Sequence, residues 1–102
     1  MNWEMLRAEA EEIKPEVINL RRRFHMYPEL SRQEEKTVAL VQQTLEGLGI
    51  ATQRVAGTGL VGLLQGKGPG KTVAIRADMD ALPMHDGKQV EYASREAGKM
   101  HA

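Results

Sequence analysis

Apolar residues in the first third of the chain recur at alternating gaps of three and four: Trp3, Leu6, Ala10, Ile13, Val17, Leu20, Phe24 and Tyr27. That spacing places them on one stripe of a helix. Pro15 interrupts the run. It has no N–H to give the Glu11 carbonyl, so a kink is expected, or two helices with Pro15 in the first turn of the second. An a/d stripe of this kind can signal a coiled coil, but Pro15 breaks the seam and nothing later continues it, so a helix packed on a sheet or on another helix is the plainer reading.

Pro28 closes this region. Ser31 and Glu34 then form an S-x-x-E capping box, and Val38, Val41, Leu45 and Leu48 supply the apolar stripe of a second helix. Gly49 is its natural stop. From Ile50 the pattern changes. Residues 50–55 read as a strand, Gly57-Thr58-Gly59 as a turn, and the continuous apolar run from Leu60 to Leu64 as a second strand. After the loop at residues 66–71, residues 72–77 read as a third strand, with Val73 and Ile75 on one face. Residues 83–102 are polar and without a period. The predicted class is therefore α/β: two N-terminal helices, a β-hairpin and a further strand. It is one corner of an α/β/α sandwich, with at least one sheet edge unpaired.

Composition narrows the chemistry more than it names it. The chain has 102 residues, 41% of them hydrophobic, with only four aromatics, so its core must be aliphatic. Fourteen basic residues balance fourteen acidic ones, which gives no field to attract nucleic acid or an anionic membrane. No apolar run approaches the ~20 residues that span a bilayer. The start of the chain shows no basic segment followed by an apolar one, so the expected location is cytoplasmic. With no cysteine, disulfides and thiolate metal sites are excluded within this sequence.

Three local patterns invite chemistry. Residues 66–72 suggest a phosphate loop, but a P-loop needs glycine where Gln65 stands, and a helix where Thr72 to Ile75 read as strand. Arg21-Arg22-Arg23 is a short basic cluster with acidic residues upstream, which reads as a solvated or ion-paired face. Asp78 and Asp80 stand at i and i+2 just past the end of the third predicted strand, where α/β folds usually bind ligands. Such carboxylates can ligate a metal or orient a ligand histidine, though from spacing alone helix capping or turn formation is the stronger reading. His25, His85 and His101 form no close metal-binding spacing.

Four stretches together carry a resemblance. Arg22 to Leu30 (R-R-F-H-M-Y-P-E-L), with Ser31, Glu34 and Thr37, is similar to the opening H-x-x-P-E-L segment of the M20 peptidase family, in its aminoacylase-like amidohydrolase branch. Gly57-Thr58-Gly59-Leu60-Val61 resembles that branch's T-G-V-x-A strand. Pro69 to Met84, with its R-A-D-M-D-A-L-P string at residues 76–83, resembles the segment that follows. Tyr92-Ala93-Ser94 and Gly98 to Ala102 resemble the approach to its H-A-C-G-H-D motif.

The resemblance implies hydrolysis of the amide bond of N-acyl amino acids or small peptides by two divalent cations (Zn, Mn or Ni), which activate a water and polarise the carbonyl, with a Glu as general base. It implies that residues 1–102 are the N-terminal part of a catalytic domain, with the lid-like or dimerisation domain absent. The ligands, beginning with the Cys of H-A-C-G-H-D, would follow Ala102, so no residue here is expected to ligate metal and the stretch alone is expected to be inactive. Asp80 matches the carboxylate that orients a ligand His, and is the one catalytic-site residue carried over. Asp78 falls where other branches place a ligand His, and His101 on the first, non-ligating His of the motif. His25 and Glu29 are expected to fix the turn between the helices. The alternative is a non-catalytic helical module that self-associates as a homo-oligomer or binds a partner.

Overall fold

In the computed structural model, which describes residues 2–102, two helices precede a two-stranded antiparallel sheet. Helix α1 (Trp3–Met26) starts where the Asn2 side chain accepts hydrogen bonds from the N–H groups of Glu4 and Met5, at 3.0 and 3.2 Å. It runs unbroken through Pro15, so the alternative of two separate helices does not occur. An interior proline costs a helix roughly 3 kcal/mol, and nothing nearby offsets it: residues 2–19 are all exposed. His25 is the one fully buried residue of α1.

Helix α2 (Glu35–Gly47) begins differently from the S-x-x-E expectation. Glu34 stands at the N-cap without capping through its side chain. The helix start is held by Glu29 instead. Its carboxylate accepts from the Lys36 N–H (3.1 Å), the Thr37 N–H (2.6 Å) and the Thr37 hydroxyl (2.7 Å). Burial alone would raise the Glu29 pKa, but these bonds and the Lys36 charge together hold it below its ordinary value. Glu34 faces the hairpin and accepts from the Thr58 hydroxyl; both residues are buried. The capping box fails because the helix starts at Glu35, three residues later than Ser31 as N-cap would place it; Glu29 takes the orphan N–H groups there, and Glu34 makes a tertiary bond.

The end of α2 follows the sequence. Gly49 adopts φ 80°, Ile50 N–H donates to the Leu45 carbonyl and Gly49 N–H to that of Glu46. This is the Schellman pattern that a glycine past the last turn permits. The chain then enters β1 (Ala51–Val55) and returns as β2 (Gly59–Leu63), with Ala51 opposite Leu63 and Val55 opposite Gly59. Gly59 is required by close approach: a Cβ there would sit 2.7 Å from the Val55 carbonyl oxygen. One face of the hairpin leans on α2, where Leu45 and Ile50 approach Gly62.

The third predicted strand does not form. Residues 72–77 pair with no other segment, and Val73 and Ile75 are 85% and 96% exposed. Their apolar alternation has the right period, but a strand needs a neighbour to receive its N–H and C=O groups. The two strands of the sheet pair only with each other. The α/β class stands, reduced to two helices and a hairpin.

The chain is correspondingly open. It exposes 8587 Å² of surface, where a compact monomer of 11.4 kDa exposes about 5800 Å². Its radius of gyration is 16.0 Å, against about 13 Å for a compact domain of this length. Among the described residues no helix is long and apolar enough to cross a membrane.

The cap assignment is directly testable. Glu29→Ala should lower unfolding stability by about 1–2 kcal/mol, and Ser31→Ala by less than about 0.5 kcal/mol, as read from urea midpoints. Because the folded pKa of Glu29 is depressed, its contribution is complete above the unfolded value near 4.5 and is lost as pH falls through the folded one. The gap between wild type and Glu29→Ala should therefore hold at pH 7 and close in acid.

Candidate functional site

The irregular segment after residue 80 is laid along the first two elements by specific polar links. Ala81 N–H donates to the Glu29 carbonyl (2.8 Å), and Leu82 and Met100 exchange backbone hydrogen bonds at 2.9 and 3.0 Å. These bonds bring both ends of the segment beside the α1–α2 corner. Ala81 is one of the few buried apolar residues of the chain.

The centre of this arrangement is a buried pair. His25 Nε2 lies 2.9 Å from Asp86 Oδ2, and the two side chains are 2% and 3% exposed. The Asp86 carboxylate also accepts from the Ser94 N–H at 2.8 Å and the Lys88 N–H at 3.0 Å. The Ser94 and Lys88 N–H groups chiefly hold the Asp86 carboxyl far below the usual carboxylate range; the His25 bond and the Lys88 charge add to them against burial. An ionised Asp86 leaves Nε2 of His25 as the donor and fixes the tautomer of the ring.

Aromatic and cationic groups close over the pair. The Tyr92 ring meets His25 edge-on, with centroids 6.5 Å apart, and the Arg22 guanidinium sits 4.3 Å from the Tyr92 centroid. Arg95 reciprocates over Tyr27 at 5.7 Å, while its N–H donates to the Met26 carbonyl. The cluster Arg21-Arg22-Arg23 is thus partly engaged by the chain itself. His25, expected to fix the turn between the helices, instead ties α1 to a residue 61 positions away; Glu29 alone serves that corner.

The predicted site residues divide into two groups. Asp78 and Asp80 both line a cleft of about 370 Å³ with Ser31, Glu34, Thr58 and Arg76. Both carboxylates are exposed, and Asp78 pairs with Arg76 at 3.0 Å in the open. His101 lies deeper, against Phe24 and His25, and its Nε2 is buried without a hydrogen-bond partner. Burial first, then the neighbouring His25, lowers its pKa; the Asp80 carboxylate and backbone work against that fall. Asp80 and His101 are therefore electrostatic neighbours, although 21 residues separate them.

Sequence reasoning missed Asp86, and gave Tyr92 and Ser94 no role beyond a family likeness. A partial signal existed in Asp86-Gly87-Lys88, a turn in which an Asp side chain takes the N–H two residues on. Nothing local announces that the same carboxylate also receives His25. Among the described residues, no three His, Cys, Asp or Glu side chains converge to hold a metal ion. The orphaned His101 Nε2 is a single donor, short of the three or four that a zinc site requires, so the residues of this stretch do not by themselves fit a metal centre.

No protein-family model matches the chain. YhaA of Bacillus subtilis (strain 168), which bears an amidohydrolase name, is 52% identical over 85% of this chain and 22% of its own length. The N-acyl-L-amino acid amidohydrolase of Geobacillus stearothermophilus is 45% identical over all of this chain and 28% of its own. Among solved structures, the YXEP protein of Bacillus subtilis is described as a dinuclear metal binding peptidase from the M20 family. It superposes with a TM-score of 0.83 at 36% identity, over 89% of this chain and 26% of that one. The chain spans about a quarter of the length of the relatives it matches.

Breaking the buried pair should loosen the tail selectively. In Asp86→Ala or His25→Leu, amide exchange at Ser94, Arg95 and Met100 should accelerate about ten-fold or more, with the α2 and hairpin amides unchanged. Hydrogen-exchange NMR at neutral pH reads both sets in one experiment.

Proposed function

The chain belongs to the M20 peptidase family, in its amidohydrolase branch, and from that premise we propose that it is the N-terminal part of the catalytic domain of a metal-dependent hydrolase of N-acyl amino acids or small peptides. The observation that carries the proposal is the 45% identity to the N-acyl-L-amino acid amidohydrolase, which runs the full length of this chain. A structural neighbour named for a dinuclear metal site supports a pair of divalent cations in the complete protein.

Within that reading the present residues are scaffold. Asp80 is the positioning carboxylate: it lines the cleft past residues 72–77 and is near enough to His101 to oppose the fall in that ring's pKa. Its part is to orient a histidine or hold its proton, and the metal ligands would come from outside this stretch. The same logic leaves the 102 residues without turnover of their own.

A chimera tests the proposal. This chain should replace the matched N-terminal part of the Geobacillus stearothermophilus enzyme and retain metal-dependent release of the free amino acid from an N-acyl amino acid. The 102 residues alone, given Zn, Mn or Ni, should bind less than one ion tightly and release nothing. In the chimera Asp80→Asn should lower activity or metal affinity about 10–100-fold. A folded, metal-loaded chimera without hydrolysis would contradict the reading.

A further inference from the structure

The backbone leading to His101 is held from two sides. Leu82 and Met100 exchange both backbone hydrogen bonds across an antiparallel bridge, so the residues before Leu82 run beside those after Met100. His101 thereby falls on the side of Ala81 and Asp80, and its ring lines the cavity of about 510 Å³ with Asp78 and Met79.

The second hold comes from Ser94. Its hydroxyl lies 2.7 Å from the Lys99 carbonyl and 3.1 Å from that of Glu96, and it accepts from the Glu96 N–H at 3.3 Å. A serine hydroxyl has one proton to give, and the shorter contact directs it to Lys99. The β-turn between them is closed by the Lys99 N–H on the Glu96 carbonyl at 3.2 Å. Gly98 stands third in that turn with φ 75°, a left-handed conformation that glycine adopts without strain.

Ser94 is fixed at its backbone as well. Its N–H donates to Asp86 Oδ2 at 2.8 Å, the same oxygen that His25 Nε2 meets at 2.9 Å. One residue thus joins two layers: the buried pair against α1 through its N–H, and the carbonyl two residues before His101 through its hydroxyl. A serine that only formed a turn would bond locally, two residues on. Here the shortest bond passes over the turn, to the residue that precedes Met100.

What these links place is His101. Its ring is half-buried, packed toward Phe24 and His25, and among the described residues its Nε2 has no hydrogen-bond partner. With no bond at Nε2 to anchor the ring, its place depends on the backbone beneath it.

We propose that Ser94 is a positioning residue of the hydrolase: held by the buried Asp86 through its N–H, it clasps the Lys99 carbonyl through its hydroxyl and so sets His101 beside Asp80. The inference rests on the hydrolase reading, which makes Asp80 part of the site. Ser94 acts through the main chain.

The chimera with the Geobacillus stearothermophilus enzyme tests this by kinetics. Ser94→Ala keeps the N–H bond to Asp86 and removes only the clasp. Its kcat should fall about ten-fold, with KM changed less than about two-fold, as expected when geometry in the transition state is lost and substrate binding is not. Ser94→Thr, which keeps a hydroxyl, should restore kcat to within about two-fold. In the 102-residue chain, NMR couplings of the His101 side chain should report one χ1 rotamer in wild type and Ser94→Thr. In Ser94→Ala they should average over rotamers while the Ser94 amide stays protected from exchange. An active chimera indifferent to Ser94→Ala would overturn the inference and leave the hydrolase reading intact. So would a loss that Ser94→Thr does not repair, or a His101 side chain equally fixed without the hydroxyl. A chimera inactive with Ser94 in place would contradict the hydrolase reading itself, and the His101 couplings would still decide whether Ser94 holds the ring.

Discussion

One buried hydrogen bond, from His25 Nε2 to the Asp86 carboxylate, anchors the irregular tail of this chain to its helical front, alongside the backbone bonds from Ala81 to Glu29 and from Arg95 to Met26. A buried carboxylate is tolerable only when its lone pairs are taken up. Asp86 meets that condition with three donors: the His25 ring, the Ser94 N–H and the Lys88 N–H. Two of them belong to the tail and one to α1. Satisfying one charge therefore sets the path of residues 86–94 and their distance from the helix. Tyr92 and Arg95 then fall where Arg22 and Tyr27 can stack with them.

The weight placed on polar links follows from how little apolar core exists. Val38 and Ala81 are the buried hydrophobic residues, while His25, Glu34, Thr37 and Thr58 are buried polar ones, each with a named partner. Between α1, α2, the hairpin and residues 75–79 lies an open, largely apolar cleft of about 510 Å³, into which Phe24, Val41, Leu45, Leu60 and Ile75 face. The same openness shows in the excess surface and in the bare apolar residues of 72–77.

What the sequence made legible was local. Helix α2, its stop at Gly49, the hairpin and the glycine at 59 all follow from period and backbone conformation, which neighbouring residues encode. The α1 stripe was legible too, but Pro15 allowed two helices where one continues. The S-x-x-E pattern misled because the helix starts at Glu35, three residues later than Ser31 as N-cap would place it, and there Glu29 takes the Lys36 and Thr37 N–H groups. The third strand misled for the opposite reason: its alternation was genuine, but among the described residues no segment pairs with it. Asp80 was singled out only by its match to a family pattern. The His25–Asp86 tie could not, since its partners are 61 residues apart and neither has a local motif that demands the other.

The most direct test of this account is the state of the His25 ring, read by proton-detected nitrogen-15 NMR of the imidazole. A fixed bond to an ionised, buried Asp86 predicts a single Nε2–H tautomer, whose ring proton exchanges slowly with water and appears downfield of a free imidazole. A ring that averages between tautomers, or whose Nε2 carries no proton at neutral pH, would contradict the claim that this bond holds the tail in place.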